Sequence, residues 1–169
     1  MQRLIIMRHG DAQRPAPGLV DFDRALTEEG RAESRLIGRA LAAAGVTPDL
    51  ALVSSARRAI ETWRAVAEAF PSAAAHEERS LYAASAARLA AAVREAAGRA
   101  GTLMLVGHNP GLHQFAIHLA IQGGGAEKAS RTLSERFPTG TAAVFTVGPD
   151  GLAKLEQLFL AKDCQDHRG

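Results

Sequence analysis

The feature that most constrains this chain is a set of three short, unbroken apolar runs at residues 4–7, 50–53 and 103–106. A strand with one solvated face alternates apolar and polar residues, whereas a strand covered on both faces is apolar throughout. The runs are too short to be helices, and longer segments with helical periodicity separate them. They therefore predict buried parallel strands with helices packed on both faces of the sheet.

Helical signals fill the segments between these runs. Thr27 is a suitable N-cap, and apolar residues recur after it at helical spacing as far as Gly45. Apolar stripes, a high alanine content and a proline suited to a first helical turn predict three further helices, over residues 56–69, 85–97 and 110–123.

The last third of the chain predicts a different connection. Residues 142–147 and 152–158 flank a Gly-Pro-Asp-Gly turn and are expected to pair as a hairpin. Strands that alternate with helices, followed by a hairpin, predict an α/β fold: a three-layer α/β/α sandwich around a mainly parallel sheet with at least one antiparallel strand. We expect a single domain over residues 1–160, followed by a polar C-terminal tail at 161–169.

Composition argues against several classes of partner. The 169 residues carry a formal net charge of +2, and their basic residues are scattered, so we expect no nucleic-acid binding. The apolar run before Arg8 is too short for a signal peptide, and no run approaches the roughly 20 residues that span a bilayer. We therefore expect a cytoplasmic protein that does not bind membranes. The single cysteine, Cys164, cannot form an internal disulfide.

Basic and small residues follow each of the three predicted strands. The segments after them read Arg8-His9-Gly10, Ser54-Ser55-Ala56-Arg57-Arg58 and Gly107-His108-Asn109-Pro110. The carboxyl ends of parallel strands share one edge of a sheet, and ligands of α/β proteins bind at that edge. Arginine and histidine side chains are therefore expected to meet there, in an arrangement that favours a phosphate site.

These residues resemble the signature of the histidine phosphatase superfamily, with matching positions at Arg8, His9, Arg58 and His108. Within the superfamily the chain is similar to the short phosphohistidine phosphatases of the SixA type, at residues 7–12, 26–34, 53–62, 106–110 and 137–140. The resemblance extends from residue 1 to about residue 160. It implies a phosphoglycerate mutase-like fold and an enzyme that removes phosphate from histidine of signalling or phosphotransfer proteins.

Phosphoryl transfer assigns a task to each residue of this signature. It needs an in-line nucleophile and stabilisation of the charge on the equatorial oxygens. His9 is the expected nucleophile and would become covalently phosphorylated, since neighbouring arginines disfavour its imidazolium form. Arg8 and Arg58 are expected to bind the phosphoryl oxygens, with His108 as a third donor. Gly10 would let the backbone approach the anion closely.

Several assignments stay open at the level of sequence. Arg57 and Arg58 are adjacent, and the motif favours Arg58 as the one that enters the pocket. Asp11 is either a solvated loop residue or one that positions the phosphate-bearing group or exchanges a proton. Asn109 and Thr139 are accessory candidates.

No metal or other cofactor is expected, because no carboxylate cluster offers ligands to Mg²⁺. His113 and His118 follow His108 at spacings of five, which place the side chains on diverging faces of a helix. Inorganic phosphate or vanadate should occupy the pocket. A protein that carries phosphohistidine is the expected substrate, and loops at residues 11–25 and 122–137 would frame its access.

The segment at residues 79–85 bears on the choice of substrate. Many phosphomonoesterases of the superfamily carry an acid in this segment that protonates an alkoxide, and this chain has none. Glu77 and Glu78 lie just upstream and are not expected to reach the phosphate. General acid help is worth about 10²- to 10⁴-fold to an alkoxide, whereas an imidazole leaves easily. The alternatives are a small-molecule phosphomonoesterase of the same superfamily and a non-catalytic phosphate-binding module.

Overall fold

A single mixed sheet organises the protein. The computed structural model describes residues 1–124 and 127–165. The strands are β1 (Arg3–Arg8), β2 (Leu50–Ser54), β3 (Ala74–Glu78), β4 (Thr102–Gly107), β5 (Ala142–Val147) and β6 (Ala153–Phe159), in the order β3-β2-β4-β1-β5-β6. The strands β1 to β4 pair in parallel, while β5 pairs antiparallel with both β1 and β6. The predicted parallel sheet with an antiparallel hairpin is confirmed.

Helices cover both faces of this sheet. They are α1 (Glu28–Ala43), α2 (Arg57–Ala67), α3 (Ala86–Ala96), α4 (Gly111–Gly123), α5 (Glu127–Glu135) and α6 (Ala161–Gln165). Side chains alternate along β1, so that Leu4 and Ile6 join the core under α3 and α4, and Ile5 and Met7 join the core under α1 and α2. The two buried clusters confirm the three-layer α/β/α sandwich.

Two local features fix the helices that carry the functional edge. Thr27 caps α1, because its Oγ1 accepts from the amide of Gly30 at 3.0 Å. Helix α1 then crosses α2 closely at Gly38, where an added Cβ would lie 2.7 Å from the carbonyl oxygen of Val66. Helix α2 begins just after β2 and is tied to the segment after β1 by Thr62, whose Oγ1 accepts from the amide of Gly10 at 2.9 Å.

The prediction of an access loop at residues 122–137 is wrong. Helix α5 (Glu127–Glu135) lies within that segment, and its Leu133 is fully buried in the core under α3 and α4. The three glycines at residues 123–125 precede this helix in the sequence and hide its start, because glycine is typical of loops. The expected C-terminal tail also begins with structure, since α6 buries Ala161 against the α1 side of the sheet.

Candidate active site

His9 lies just past the end of β1 and is only 6% exposed. Its Nδ1 is 2.7 Å from the carbonyl oxygen of Gly10, which can only accept, so Nδ1 carries the proton and Nε2 keeps its lone pair. Burial is the main cause that lowers the pKa of His9 to about 4, and the charges of Arg58 and Arg8 lower it further, against the opposing effect of the Gly10 carbonyl. At neutral pH the ring is therefore uncharged and nucleophilic.

Arg58 reaches His9 from the first turn of α2. Its Nε donates to Nε2 of His9 at 3.2 Å, and its Nη1 donates to the carbonyl oxygen of Asp21 at 2.7 Å. Arg57 points away, with a side chain that is 58% exposed and paired with Glu61 at 3.0 Å. The structure therefore places Arg58, and not its neighbour, beside His9.

His108 follows β4 and completes a buried pair of imidazoles. Its ring centroid is 5.1 Å from that of His9, and its Nε2 is 2.7 Å from Oγ of Ser54. Its Nδ1 is buried without a hydrogen-bond partner among the described residues. Burial, then the proximity of His9 and Arg58, lowers the pKa of His108 to about 3. In the tautomer in which Ser54 donates to Nε2, Nδ1–H is free to donate to an anion.

Arg8 approaches the same cluster from the end of β1. Its Nη1 donates to the carbonyl oxygen of Phe137 at 3.1 Å, while its Nε is buried and has no partner within residues 1–124 and 127–165. Burial and the charge of Arg58 lower the pKa of Arg8 from its ordinary value. Asn109 donates to the same Phe137 carbonyl at 2.9 Å. Thr139 precedes Gly140, whose amide donates to the carbonyl oxygen of His9 at 2.9 Å.

The structure gives Gly10 and Asp11 roles in packing. The Gly10 amide donates to Oγ1 of Thr62 at 2.9 Å, so it is not available to an anion. A Cβ at Gly10 would lie 2.6 Å from the carbonyl oxygen of Gly30, so glycine is required here by contact with α1. Asp11 accepts from Oγ1 of Thr27 at 2.8 Å and helps to hold the start of α1.

A carboxylate at the rim of the cluster is absent from the sequence prediction. Asp21 lies in a 3₁₀ turn (Asp21–Asp23), where its Oδ2 accepts from Tyr82 at 2.5 Å and from Nη2 of Arg58 at 3.2 Å. Its Oδ1 accepts from Arg24 at 3.1 Å. The Tyr82 bond is the main cause that lowers the pKa of Asp21, and the Arg58 charge adds to it, whereas the same bond raises the pKa of Tyr82.

Two sizeable cavities lie away from this cluster. One, of about 570 Å³, lies between α3, α4 and the hairpin at the opposite edge of the sheet, and His118 is part of its lining. Another, of about 600 Å³, lies between α1, β6 and α6. His113 bonds the carbonyl oxygen of Leu133 at 2.6 Å. In the parts of the chain that the structure describes, no three His, Cys, Asp or Glu residues are grouped to hold a metal ion.

The histidines and arginines at this edge form one buried cluster, and comparison with known proteins gives the class of protein. The profile of the histidine phosphatase superfamily (branch 1) matches residues 4–82. An uncharacterised protein of Mycobacterium tuberculosis is 33% identical over 141 residues, which cover 83% of this chain and 87% of that protein. None of the helices in the described ranges is long and apolar enough to cross a bilayer.

Solved structures share the complete fold. A protein of Agrobacterium tumefaciens, provisionally described as the phosphohistidine phosphatase SixA, superimposes with a TM-score of 0.81 at 30% identity and covers 94% of this chain and 97% of its own. A protein histidine phosphatase SixA in complex with tungstate has a TM-score of 0.76 at 24% identity, over 95% and 98% of the two chains. The chain belongs to the histidine phosphatase superfamily. It is a phosphatase with the phosphoglycerate mutase-like fold.

Proposed function

We propose that this phosphatase hydrolyses phosphohistidine on a protein substrate through a covalent phospho-His9 intermediate. The observation that carries the proposal is the buried, neutral imidazole of His9, with Nδ1 bound to the Gly10 carbonyl and Nε2 turned toward Arg58. A ring held in this way presents one unprotonated nitrogen in a fixed direction, as an in-line nucleophile requires.

The reaction then has two half-reactions. The Nε2 lone pair of His9 forms a bond to phosphorus while the P–N bond breaks, and its electron pair returns to the substrate ring, which is protonated on its other nitrogen and leaves as neutral imidazole. Water then attacks phosphorus, releases inorganic phosphate and restores Nε2. In the first step, Nε of Arg58 exchanges its bond to Nε2 for one to a phosphoryl oxygen. The unpartnered Nε of Arg8 and Nδ1 of His108 are the other donors available to the phosphoryl oxygens.

The groups around the site favour the hydrolysis of P–N substrates over that of alkyl phosphates. Asp21 is held ionised by Tyr82 and Arg58, so it has no proton to give, and Tyr82 already donates its proton to Asp21. Glu78 ends the exposed strand β3 and accepts from Ser80 at 3.4 Å. An alkoxide would leave without general acid help, whereas an imidazole leaves readily. The description of the A. tumefaciens protein as a phosphohistidine phosphatase supports the same substrate class.

Side-by-side kinetics test the proposal. A phosphohistidine-bearing protein and a sugar phosphate are offered to the same enzyme, with p-nitrophenyl phosphate as the substrate whose leaving group needs little protonation. We expect kcat/KM on the sugar phosphate to be at least about 10²-fold lower than on the phosphohistidine protein, the lower limit of what a general acid contributes. Comparable values on these two substrates would overturn the proposal in favour of a small-molecule phosphomonoesterase.

A further inference from the structure

We propose that Asp21 selects the protonated form of the substrate's phosphoimidazole ring and thereby determines specificity for P–N substrates. The inference rests on the proposed function and adds to it a residue that contacts the leaving group. Three observations carry it: the place of Asp21 beside the nucleophile, the acceptor capacity left on its carboxylate, and the proton that only one form of the substrate can offer.

The first observation is that one guanidinium contacts both His9 and Asp21. Nε of Arg58 lies 3.2 Å from Nε2 of His9, and Nη2 of Arg58 lies 3.2 Å from Oδ2 of Asp21. The hydroxyl of Tyr82 bonds the same carboxylate, and the Tyr82 ring packs edge-on against His108 at 5.6 Å. A phosphoryl group held between His9, Arg58 and His108 would therefore have its leaving group close to Asp21.

The second observation concerns the lone pairs of the carboxylate. A carboxylate offers about four acceptor positions, two on each oxygen. Oδ2 of Asp21 accepts from Tyr82 and Arg58, and Oδ1 accepts from Arg24. One position on Oδ1 remains among the contacts of the described residues. The side chain is 51% exposed, so a ring bound at the mouth of the site can reach it.

The third observation is chemical. A neutral N-phosphoimidazole has a bare second nitrogen, which cannot donate to a carboxylate, whereas the protonated ring has an N–H at that position. When Nε2 of His9 bonds to phosphorus, the electron pair of the P–N bond returns to the protonated ring. The ring departs as neutral imidazole and keeps its proton on the distal nitrogen. No proton from the enzyme is needed, and an ionised Asp21 acts as an acceptor that keeps the bound ring in its protonated, reactive form.

The charged groups that face Asp21 agree with this role. Arg58 and Arg24 contact the carboxylate from α2 and from its own loop, and the Tyr82 hydroxyl contacts it from the segment after β3. These contacts lower the pKa of the Asp21 carboxyl, so that it is ionised while the substrate ring titrates. The proton at this contact therefore belongs to the substrate.

The test compares phosphoimidazole with p-nitrophenyl phosphate on the wild type, on Asp21→Asn and on Asp23→Asn. Asparagine keeps an oxygen for Tyr82 and Arg58 but loses the negative charge. Asp23, exposed in the same turn, is the matched control. We expect Asp21→Asn to lower kcat/KM on phosphoimidazole by about 10- to 100-fold, the range for a hydrogen bond to a charged group. Loss of a negative charge beside a phosphate site should lower KM for p-nitrophenyl phosphate. Asp23→Asn should match the wild type on both substrates.

The pH dependence of kcat gives a second readout. In the wild type, kcat on phosphoimidazole should fall as the bound ring loses its proton, and Asp21→Asn should move that fall to lower pH by about one unit, the equivalent of a tenfold weaker contact. If Asp21→Asn loses kcat/KM equally on both substrates, Asp21 only positions Arg58, and the inference is overturned. Unchanged rates in this variant, or an unmoved pH profile, would also overturn it. A wild type that cleaves p-nitrophenyl phosphate but neither phosphoimidazole nor a phosphohistidine-bearing protein would instead overturn the proposed function itself.

Discussion

The two edges of the sheet differ in what they bury. Three side chains at the carboxyl edge of β1, β2 and β4 are each less than 8% exposed, namely His9, Arg58 and His108. The charge of the arginine and the lone pairs of the two imidazoles face one another. At the opposite edge, a cavity of about 570 Å³ has a mostly apolar lining in which His118 is a peripheral group. One edge thus has an apolar cavity, and the other has the desolvated cationic and imidazole groups. Perturbed titratable groups are the better guide to chemistry here.

The largest expected difference between the edges is in the response to histidine substitution. His9→Ala removes the proposed nucleophile and should abolish turnover to the limit of detection, while His118→Ala should retain it within about twofold, as a surface change does. Steady-state rates with p-nitrophenyl phosphate measure both variants, and circular dichroism checks that each is folded. Measurable turnover by a folded His9→Ala enzyme would contradict the comparison.

Arg58→Ala should have the next largest effect. Removal of one electrostatic donor to a transferring group typically costs about 10²- to 10³-fold in rate. The loss should be similar on phosphohistidine and aryl phosphate substrates, because both present the same phosphoryl oxygens. Arg57→Ala is the matched control, since its side chain faces solvent one residue away, and should stay within about twofold. Equal losses in the two variants would refute the distinction between these arginines.

A smaller effect is expected from the residue that orients His108. Ser54→Ala removes the hydroxyl that lies 2.7 Å from Nε2 of His108, and a single hydrogen bond of this kind is worth about 1 kcal/mol. We expect kcat/KM to fall about fivefold to tenfold on all substrates. Ser55→Ala, at the next position, serves as the control. If Ser54→Ala and Ser55→Ala behave alike, Ser54 does not orient His108.

The buried imidazoles should also make stability depend on pH. The pKa of His9 is about 4 in the folded protein, below the ordinary value of 6.5, so the unfolded chain binds more protons between these values. The free energy of unfolding should therefore fall as pH drops from 6.5 toward 4, by about 2 kcal/mol at pH 5 for His9 alone. Urea denaturation at pH 7.5 and 5 measures this difference. The free energy of unfolding of His9→Asn should fall less between pH 7.5 and 5 than that of the wild type. An identical fall would mean that His9 is not the cause of the pH dependence.

The sequence predicts the centre of the sheet because β1, β2 and β4 are continuous apolar runs, which can be recognised without tertiary information. The edge strand β3 (Ala74–Glu78) is exposed and lacks such a run, and α5 follows a series of glycines, so neither has a comparable local signal. Strand ends also bring Arg8, His9 and His108 together by topology alone. This explains why the main cluster could be predicted from three motifs.

The rim of the site could not be predicted in the same way. Asp21 lies in a loop and Tyr82 lies 61 residues later, and only the folded chain joins them in a hydrogen bond. Ser54 was visible at the end of β2, but its contact with His108 depends on the pairing of β2 with β4. The packing role of Gly10 similarly depends on the approach of α1. Each of these contacts is set by tertiary structure and leaves no periodic pattern.

Trapping the phosphorylated enzyme tests directly whether His9 is the nucleophile. The wild type is mixed with a phosphohistidine-bearing protein, quenched rapidly without acid and digested, and the phosphate is located by mass spectrometry. We expect phosphate on Nε2 of His9, since Nδ1 is bound to the Gly10 carbonyl, and a phosphoenzyme that forms and decays at rates compatible with turnover. Phosphate on His108, or turnover with no phosphoenzyme under conditions that preserve phosphohistidine, would contradict it.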